Sequence, residues 1–244
     1  FMFNRVINHS REKHELETFI DLLLPLFVPV RKTDYVLEYF LDEGNYRAAD
    51  KFFEENSLKG RTVITLHQGC GGTGKPREWD VKNYIQLGKR LIEYKKDIIL
   101  LITGSGDEEE KNEELERGLL EILPSGSRVI NITGKYSLDD VVAIIKNVTL
   151  IVCSNTGMLH LASCVGTKTM GLHGPTNPAK WGAYSPNTVL IQSDKYCSPC
   201  LYLGHDYGCN NPTCMTHISV DDVYIHIRKA LNPELFPEEL RVIN

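Results

Sequence analysis

From residue 61 onward the apolar positions alternate between strand-like runs and helix-like spacing. "RTVITLH" (61–67) reads as a buried strand, and "KNYIQLGKRLIEYKKD" (82–97) carries Tyr84, Ile85, Leu87, Leu91 and Ile92 at helical spacing. Next come a strand "IILLIT" (98–103) and a charged helix (107–121) with Leu115, Leu119 and Leu120 turned inward. Strand "RVINIT" (128–133), helix "SLDDVVAIIKNV" (137–148), strand "TLIVCS" (149–154), a helix over 157–165 and strand "TKTMGLHG" (167–174) follow. Ser137 and Asp140 make a capping-box-like start, with Asp where Glu or Gln is usual. "SVDDVYIHIRKAL" (219–231) closes the series as a helix capped by Ser219. This order predicts an α/β fold: a Rossmann-like parallel sheet with helices on both faces.

In such sheets ligands bind beyond the carboxyl ends of the strands. Polar or Gly-rich clusters fall at those ends: "HQGCGGTGK", "GSGDE", "SNTG" and "HGPT". Thr156 and Gly157 stand where a helix leaves a strand end, so free amides and the positive end of the helix dipole suit a phosphate there. Gly157 admits close approach to the backbone, and His160, on the same helix face, is a further donor. Spacing alone equally allows Ser154 and Asn155 as a plain helix cap and His160 as a structural histidine. "GTGKPREW" (72–79) adds two cations, Lys75 and Arg77, but Pro76 stands where a P-loop carries Ser or Thr. "GSGDEE" likewise lacks the third glycine of a dinucleotide fingerprint.

Residues before 61 lack this alternation. They predict a helix (11–24), a strand "YVLEYFL" (35–41) and a helix (45–56), with the greasy "FIDLLLPLFVPV" (19–30) expected as a core helix end rather than a membrane-surface contact. The chain has 244 residues, 42% hydrophobic and 24% charged, as a globular protein does. A net charge of −5 argues against a nucleic-acid partner, and no apolar run is long enough for a membrane span. The charged N-terminus does not read as a signal peptide, and opening on Phe1 fits a fragment of something longer. Cys197, Cys200, Cys209 and Cys214 form C-x2-C-x8-C-x4-C, whose first pair has zinc-ligand spacing. A structural zinc and a set of free thiols or a labile disulfide are both open. Cys70, Cys153 and Cys164 read as small buried or loop residues.

"SNTGMLHLASCVGTKTMGLHGPTNPAKWG", with "GKPREW" upstream and "CSPC…CNNPTCM" downstream, resembles the C-terminal half of glycosyltransferase family 9, the lipopolysaccharide heptosyltransferases, over roughly residues 60–232. The resemblance implies a GT-B-like architecture: a partial N-terminal acceptor-side domain (1–59), a donor-binding Rossmann-like domain (60–232) and a tail (233–244). It implies an inverting, metal-independent sugar transfer from a nucleoside diphosphate sugar, ADP-heptose favoured, to a lipid-linked or oligosaccharide acceptor of the lipopolysaccharide core. Such a protein is cytoplasmic, working at the inner face of the membrane. Thr156, Gly157 and His160 would hold the diphosphate, Arg77 or Lys75 would neutralise the leaving phosphate, and Glu108 would contact the nucleoside. Asn155 stands where the family usually has Asp, which touches the choice of sugar. The family's N-terminal catalytic Asp has no counterpart in 1–60, where His9, Asp21 and Asp34 are the acids or bases at hand. The chain is therefore expected to bind donor better than it catalyses; a non-catalytic nucleotide-sugar module and an epimerase are the alternatives.

Overall fold

The structure, a computed structural model, describes residues 6–28, 36–72, 74–201, 209, 213–232 and 242–243. Strands β1 (Val63–His67), β2 (Ile99–Ile102), β3 (Arg128–Asn131), β4 (Leu150–Ser154), β5 (Thr169–His173), β6 (Thr188–Gln192) and β7 (Val242–Ile243) form one sheet. Their order is β3-β2-β1-β4-β5-β6-β7, and every pairing is parallel. The order reverses between β1 and β4, whose neighbouring loops diverge and leave a crevice at the carboxyl edge.

Alternate residues of each central strand serve opposite faces, because strand side chains alternate with a period of two. Ile64, Leu66, Leu100, Ile102, Leu150 and Val152 enter one core, with Tyr84, Leu87 and Leu91 of α3 (Val81–Tyr94), Leu115 and Leu119 of α4 (Glu109–Ile122), and Val223 and Ile227 of α8 (Val220–Leu231). Val63, Ile99, Leu101, Ile151 and Cys153 enter the other, with α5 (Leu138–Lys146) and α6 (Gly157–Cys164). Helix α2 (Glu43–Glu55) lies before the expected domain boundary, yet its Ala49, Phe52 and Phe53 join this second core. A sheet buried on both faces explains why its strands read as near-continuous apolar runs. The caps form as well: the Ser137 hydroxyl accepts from Asp140 N at 3.2 Å, and that of Ser219 from Asp222 N at 3.1 Å.

Three expectations fail. No strand forms among the described residues of 35–41; Val36 and Phe40 are exposed, and alternating residues without a pairing edge remain coil. The helix expected over 11–24 is shorter, α1 (Glu15–Ile20) followed by a 3-10 turn at Asp21–Leu26. In "FIDLLLPLFVPV", Phe19, Leu22, Leu24, Leu26 and Phe27 are exposed, so its described part is not a core helix end; residues 29–30 lie outside the described residues. Two short elements escaped periodicity: β6, and α7 (Pro178–Trp181), started by Asn177, whose side chain accepts from Ala179 N at 2.9 Å.

Candidate functional site

A cleft of about 600 Å³ opens at the carboxyl edge, where the strand order reverses. The end of β1 and the loop after it supply His67, Gly69, Cys70 and Gly71, the loop after β2 supplies Gly104, Ser105, Gly106 and Glu108, and α6 with its N-cap supplies Thr156, Gly157, Met158 and Leu161. Its remaining wall, Gly134, Tyr136, Leu138 and Val141, comes from the segment after β3 and the start of α5, which sequence analysis had not singled out. The available signal was the small polar "TGKYS" at another strand end: Gly134 has φ +66°, a left-handed turn that favours glycine.

Glu108 is nearly buried beyond the end of β2, and its Oε2 accepts from Ser105 N at 2.9 Å. Its carboxylate lies against Gly69, where a Cβ would sit 1.8 Å from Oε1. The glycine thus makes room for the carboxylate in the cleft. A carboxylate in this place of a doubly wound sheet suits ribose hydroxyls. Opposite, burial pushes His67 down from its ordinary value, against the charge of Glu108 and a hydrogen bond to the Thr103 backbone; its Nδ1 also lies 3.0 Å from Thr103 Oγ1.

At the start of α6, Thr156 is the N-cap and its Oγ1 accepts from Met158 N at 3.1 Å. Leu159 N donates to Thr156 O at 3.2 Å, so the Gly157 amide is the one this first turn leaves for an acceptor. A Cβ on Gly157 would meet nothing within 4 Å, so the space beside its Cα is open. Arg77 reaches this helix start: its Nη1 donates to Asn155 O at 2.9 Å, while its buried Nε has no hydrogen-bond partner. Of the two candidate cations Arg77 is the one brought to α6. Lys75 is exposed and lines a separate depression with Glu78 and Lys111. Asn155 is buried, its N–H donating to Leu172 O at 3.2 Å.

His160 does not line the cleft. Successive residues turn about 100° around a helix. From Gly157, His160 therefore lies about 60° round the helix toward Thr156, away from Met158. Burial and the neighbouring His14 push the His160 imidazole below its ordinary value. His173, at the end of β5, is fully buried with Nδ1 at 2.9 Å from Thr176 Oγ1 and Nε2 unpartnered. Burial, then the charges of His160 and Arg77, push it down to about 3. "HGPT" is not among the cleft-lining residues, and Pro175 O accepts from Cys200 N and Leu201 N at 2.9 and 2.8 Å, tying the cysteine loop to β5.

Cys197, Cys200 and Cys209 are exposed and Cys214 is buried beside Gly174. Among the described residues, no three His, Cys, Asp or Glu side chains are arranged to hold a metal ion. Nor is any described helix long and apolar enough to cross a membrane. Of the expected acids and bases, His9 pairs with Glu15 at 3.0 Å and Asp21 with Lys13 at 2.7 Å, and Asp34 lies outside the described residues.

A family model described as glycosyltransferase family 9 (heptosyltransferase) matches residues 1–209. Lipooligosaccharide heptosyltransferase 2 of Haemophilus influenzae is 30% identical over 145 residues, 58% of this chain and 40% of that protein. The solved glycosyl transferase family 9 protein of Veillonella parvula superposes with a TM-score of 0.77 at 18% identity, covering 95% of this chain and 64% of that one. E. coli ADP-heptose LPS heptosyltransferase II superposes at 0.68 with 20% identity, covering 95% and 66%. The chain thus spans less than two thirds of each relative, and the structural likenesses establish its fold. With most of its length inside the family model, this chain belongs to glycosyltransferase family 9, the heptosyltransferase family.

Proposed function

We propose that this chain is the donor-binding half of a glycosyltransferase that moves a sugar, heptose in its relatives, from a nucleoside diphosphate sugar to an acceptor of the lipopolysaccharide core. One observation carries this: where the strand order reverses, one cleft is lined by the start of α6 at Thr156 and Gly157 and by Glu108, with Arg77 donating to Asn155 O just before that helix. The ribose lies against Glu108 and the base against the apolar wall of Leu138, Val141, Met158 and Leu161. The diphosphate lies on the amides at Thr156 and Gly157. ADP-heptose is the favoured donor, as it is the one named for the E. coli relative.

In the complete protein a base deprotonates an acceptor hydroxyl. The resulting oxygen attacks the anomeric carbon from the face opposite the leaving diphosphate, so the configuration inverts. The α6 amides and Arg77 take up the charge that builds on that diphosphate, which is where preorganised donors act most strongly. In this scheme those groups carry the electrostatic work, and no metal is required of it. A nucleotide-sugar donor and a lipid-linked acceptor together place the reaction at the cytoplasmic face of the membrane.

A non-catalytic donor-binding module is the second reading, favoured by the commitment of His9 and Asp21 to partners within their own segment. Calorimetric titration with ADP, UDP and GDP tests the site common to both readings. ADP is expected to bind selectively and to lose its affinity in the Thr156→Ala/His160→Ala double variant. A folded chain that binds none of the three would overturn the donor site. Heptose transfer by the chain on addition of acceptor would decide against the module.

A further inference from the structure

Tyr136 lines the cleft in the short segment between Gly134 and Leu138. Its side chain is 38% exposed, so the ring is only partly taken up by the protein around it. A nucleobase stacks well on a ring of this kind, because both present an apolar π-face.

The support of that ring comes from outside the strand-helix series. Phe52 of α2 is buried and meets Tyr136 edge to face, with ring centroids 5.8 Å apart and planes at 81°. Phe53 is buried in the same apolar core and meets Phe52 at 5.9 Å. Among the described residues, Tyr136 has its ring contact with Phe52 and not with Phe53. Helix α2 is itself fixed on α5. Asn45 Nδ2 donates to Asp140 Oδ1 at 3.0 Å, Lys146 Nζ donates to the Tyr46 hydroxyl at 3.2 Å, and the Tyr39 hydroxyl, just before α2, donates to Asp139. Ala49, Phe52 and Phe53 share their core with Val141, Ala143, Ile144 and Ile145 of α5. The helix that backs Tyr136 is thus locked to the helix whose Leu138 and Val141 form the rest of that wall.

We propose that Tyr136 stacks on the base of the donor and that Phe52 is the positioning residue that holds its ring. The proposal rests on the donor-site reading above and adds to the apolar wall an aromatic contact whose order depends on α2. Without the Phe52 ring, Tyr136 loses its edge-to-face partner and has to be ordered by the ligand, which weakens binding. The groups at the diphosphate end, Gly157 and Arg77, are left as they are.

The test is calorimetric titration of the full chain with ADP, in wild type, Tyr136→Ala, Tyr136→Phe, Phe52→Leu and Phe53→Leu. Tyr136→Ala is expected to weaken ADP about tenfold, a difference of ~1.4 kcal/mol, while Tyr136→Phe, which keeps the ring, stays within about twofold of wild type. Phe52→Leu is expected to weaken ADP about fivefold. Phe53→Leu removes a ring from the same core and should lower Tm comparably, yet leave ADP within about twofold. Wild-type affinity in Tyr136→Ala, or an equal loss in Tyr136→Phe, overturns the stacking contact. Equal losses in Phe52→Leu and Phe53→Leu overturn the positioning role. Phe52→Met, closer in volume, carries that comparison if Phe52→Leu fails to fold. Absence of ADP binding by the folded wild type would overturn the donor site itself, whereas ADP binding indifferent to Tyr136 overturns this proposal alone.

Discussion

Gly157→Ala separates a ligand site from a helix cap, because the two demand opposite outcomes. Gly157 opens α6 without a left-handed φ, so alanine can take its backbone conformation unstrained. Nothing in the protein lies within 4 Å of the added methyl. Removing a glycine's freedom from the unfolded chain at a compatible site stabilises by about 0.4–1 kcal/mol. For a domain of this size that raises Tm by roughly 1–4 °C. The same methyl occupies the space in which a phosphate would meet the Gly157 amide. A hydrogen bond to a charged group contributes about 1.5–3 kcal/mol, so losing one weakens ADP roughly ten- to a hundredfold. Thermal unfolding and calorimetry with ADP read the two effects on one preparation. ADP affinity unchanged within about twofold would refute the placement of the diphosphate on this helix start.

Glu108→Gln should weaken ADP about tenfold and erase discrimination between ADP and its 2′- and 3′-deoxy forms, since a carboxylate accepts ribose hydroxyls better than an amide does. A variant that still discriminates as the wild type does would move the ribose elsewhere. Gly69→Ala should destabilise the chain, because its methyl would overlap the Glu108 carboxylate; an unchanged Tm would show that Glu108 swings freely. His173 is held near pKa 3, below its ordinary 6.5, so between those values the unfolded chain binds a proton that the folded chain does not. Stability is then fully present above pH 6.5 and falls with acidification by about 1.4 kcal/mol per pH unit. Urea unfolding of His173→Gln should show a shallower acid limb; an identical slope would mean that His173 titrates normally. Thiol titration of the native chain should find Cys197, Cys200 and Cys209 fast, with Cys70, Cys153 and Cys214 reacting only after denaturation. Fewer than three fast thiols would show the cysteine loop closed by a metal ion or a disulfide.

Much of this fold is written locally. Strands such as "VITLH" and "LIVCS" are buried on both faces, and helices such as α3 carry one apolar stripe, so each declares its type within a short window. The caps Ser137 and Ser219 are legible for the same reason, their bonds closing within three residues. Strand ends followed by small polar residues also marked Thr156, Gly157 and Glu108 as neighbours of one edge. Local pattern ran out where a residue's role depends on a distant partner. "YVLEYFL" alternates as a strand does, but without a neighbouring edge its described residues, 36–41, stay coil. Lys75 and Arg77 are two residues apart and chemically alike; only the path of the 3-10 turn at Lys75–Arg77 sends one to Asn155 and the other to a separate depression. Spacing sets His160 on the face of Thr156 and Gly157, and only the packed structure shows that it is not among the cleft-lining residues and feels His14. Contacts of Lys180 with Ser10, Lys13 and Glu15 join residues about 170 apart, and no periodicity records them. Secondary structure follows from neighbours along the chain. Which charges and rings meet across the sheet edge follows from the order of the strands, and that is settled only when both faces of the sheet are covered.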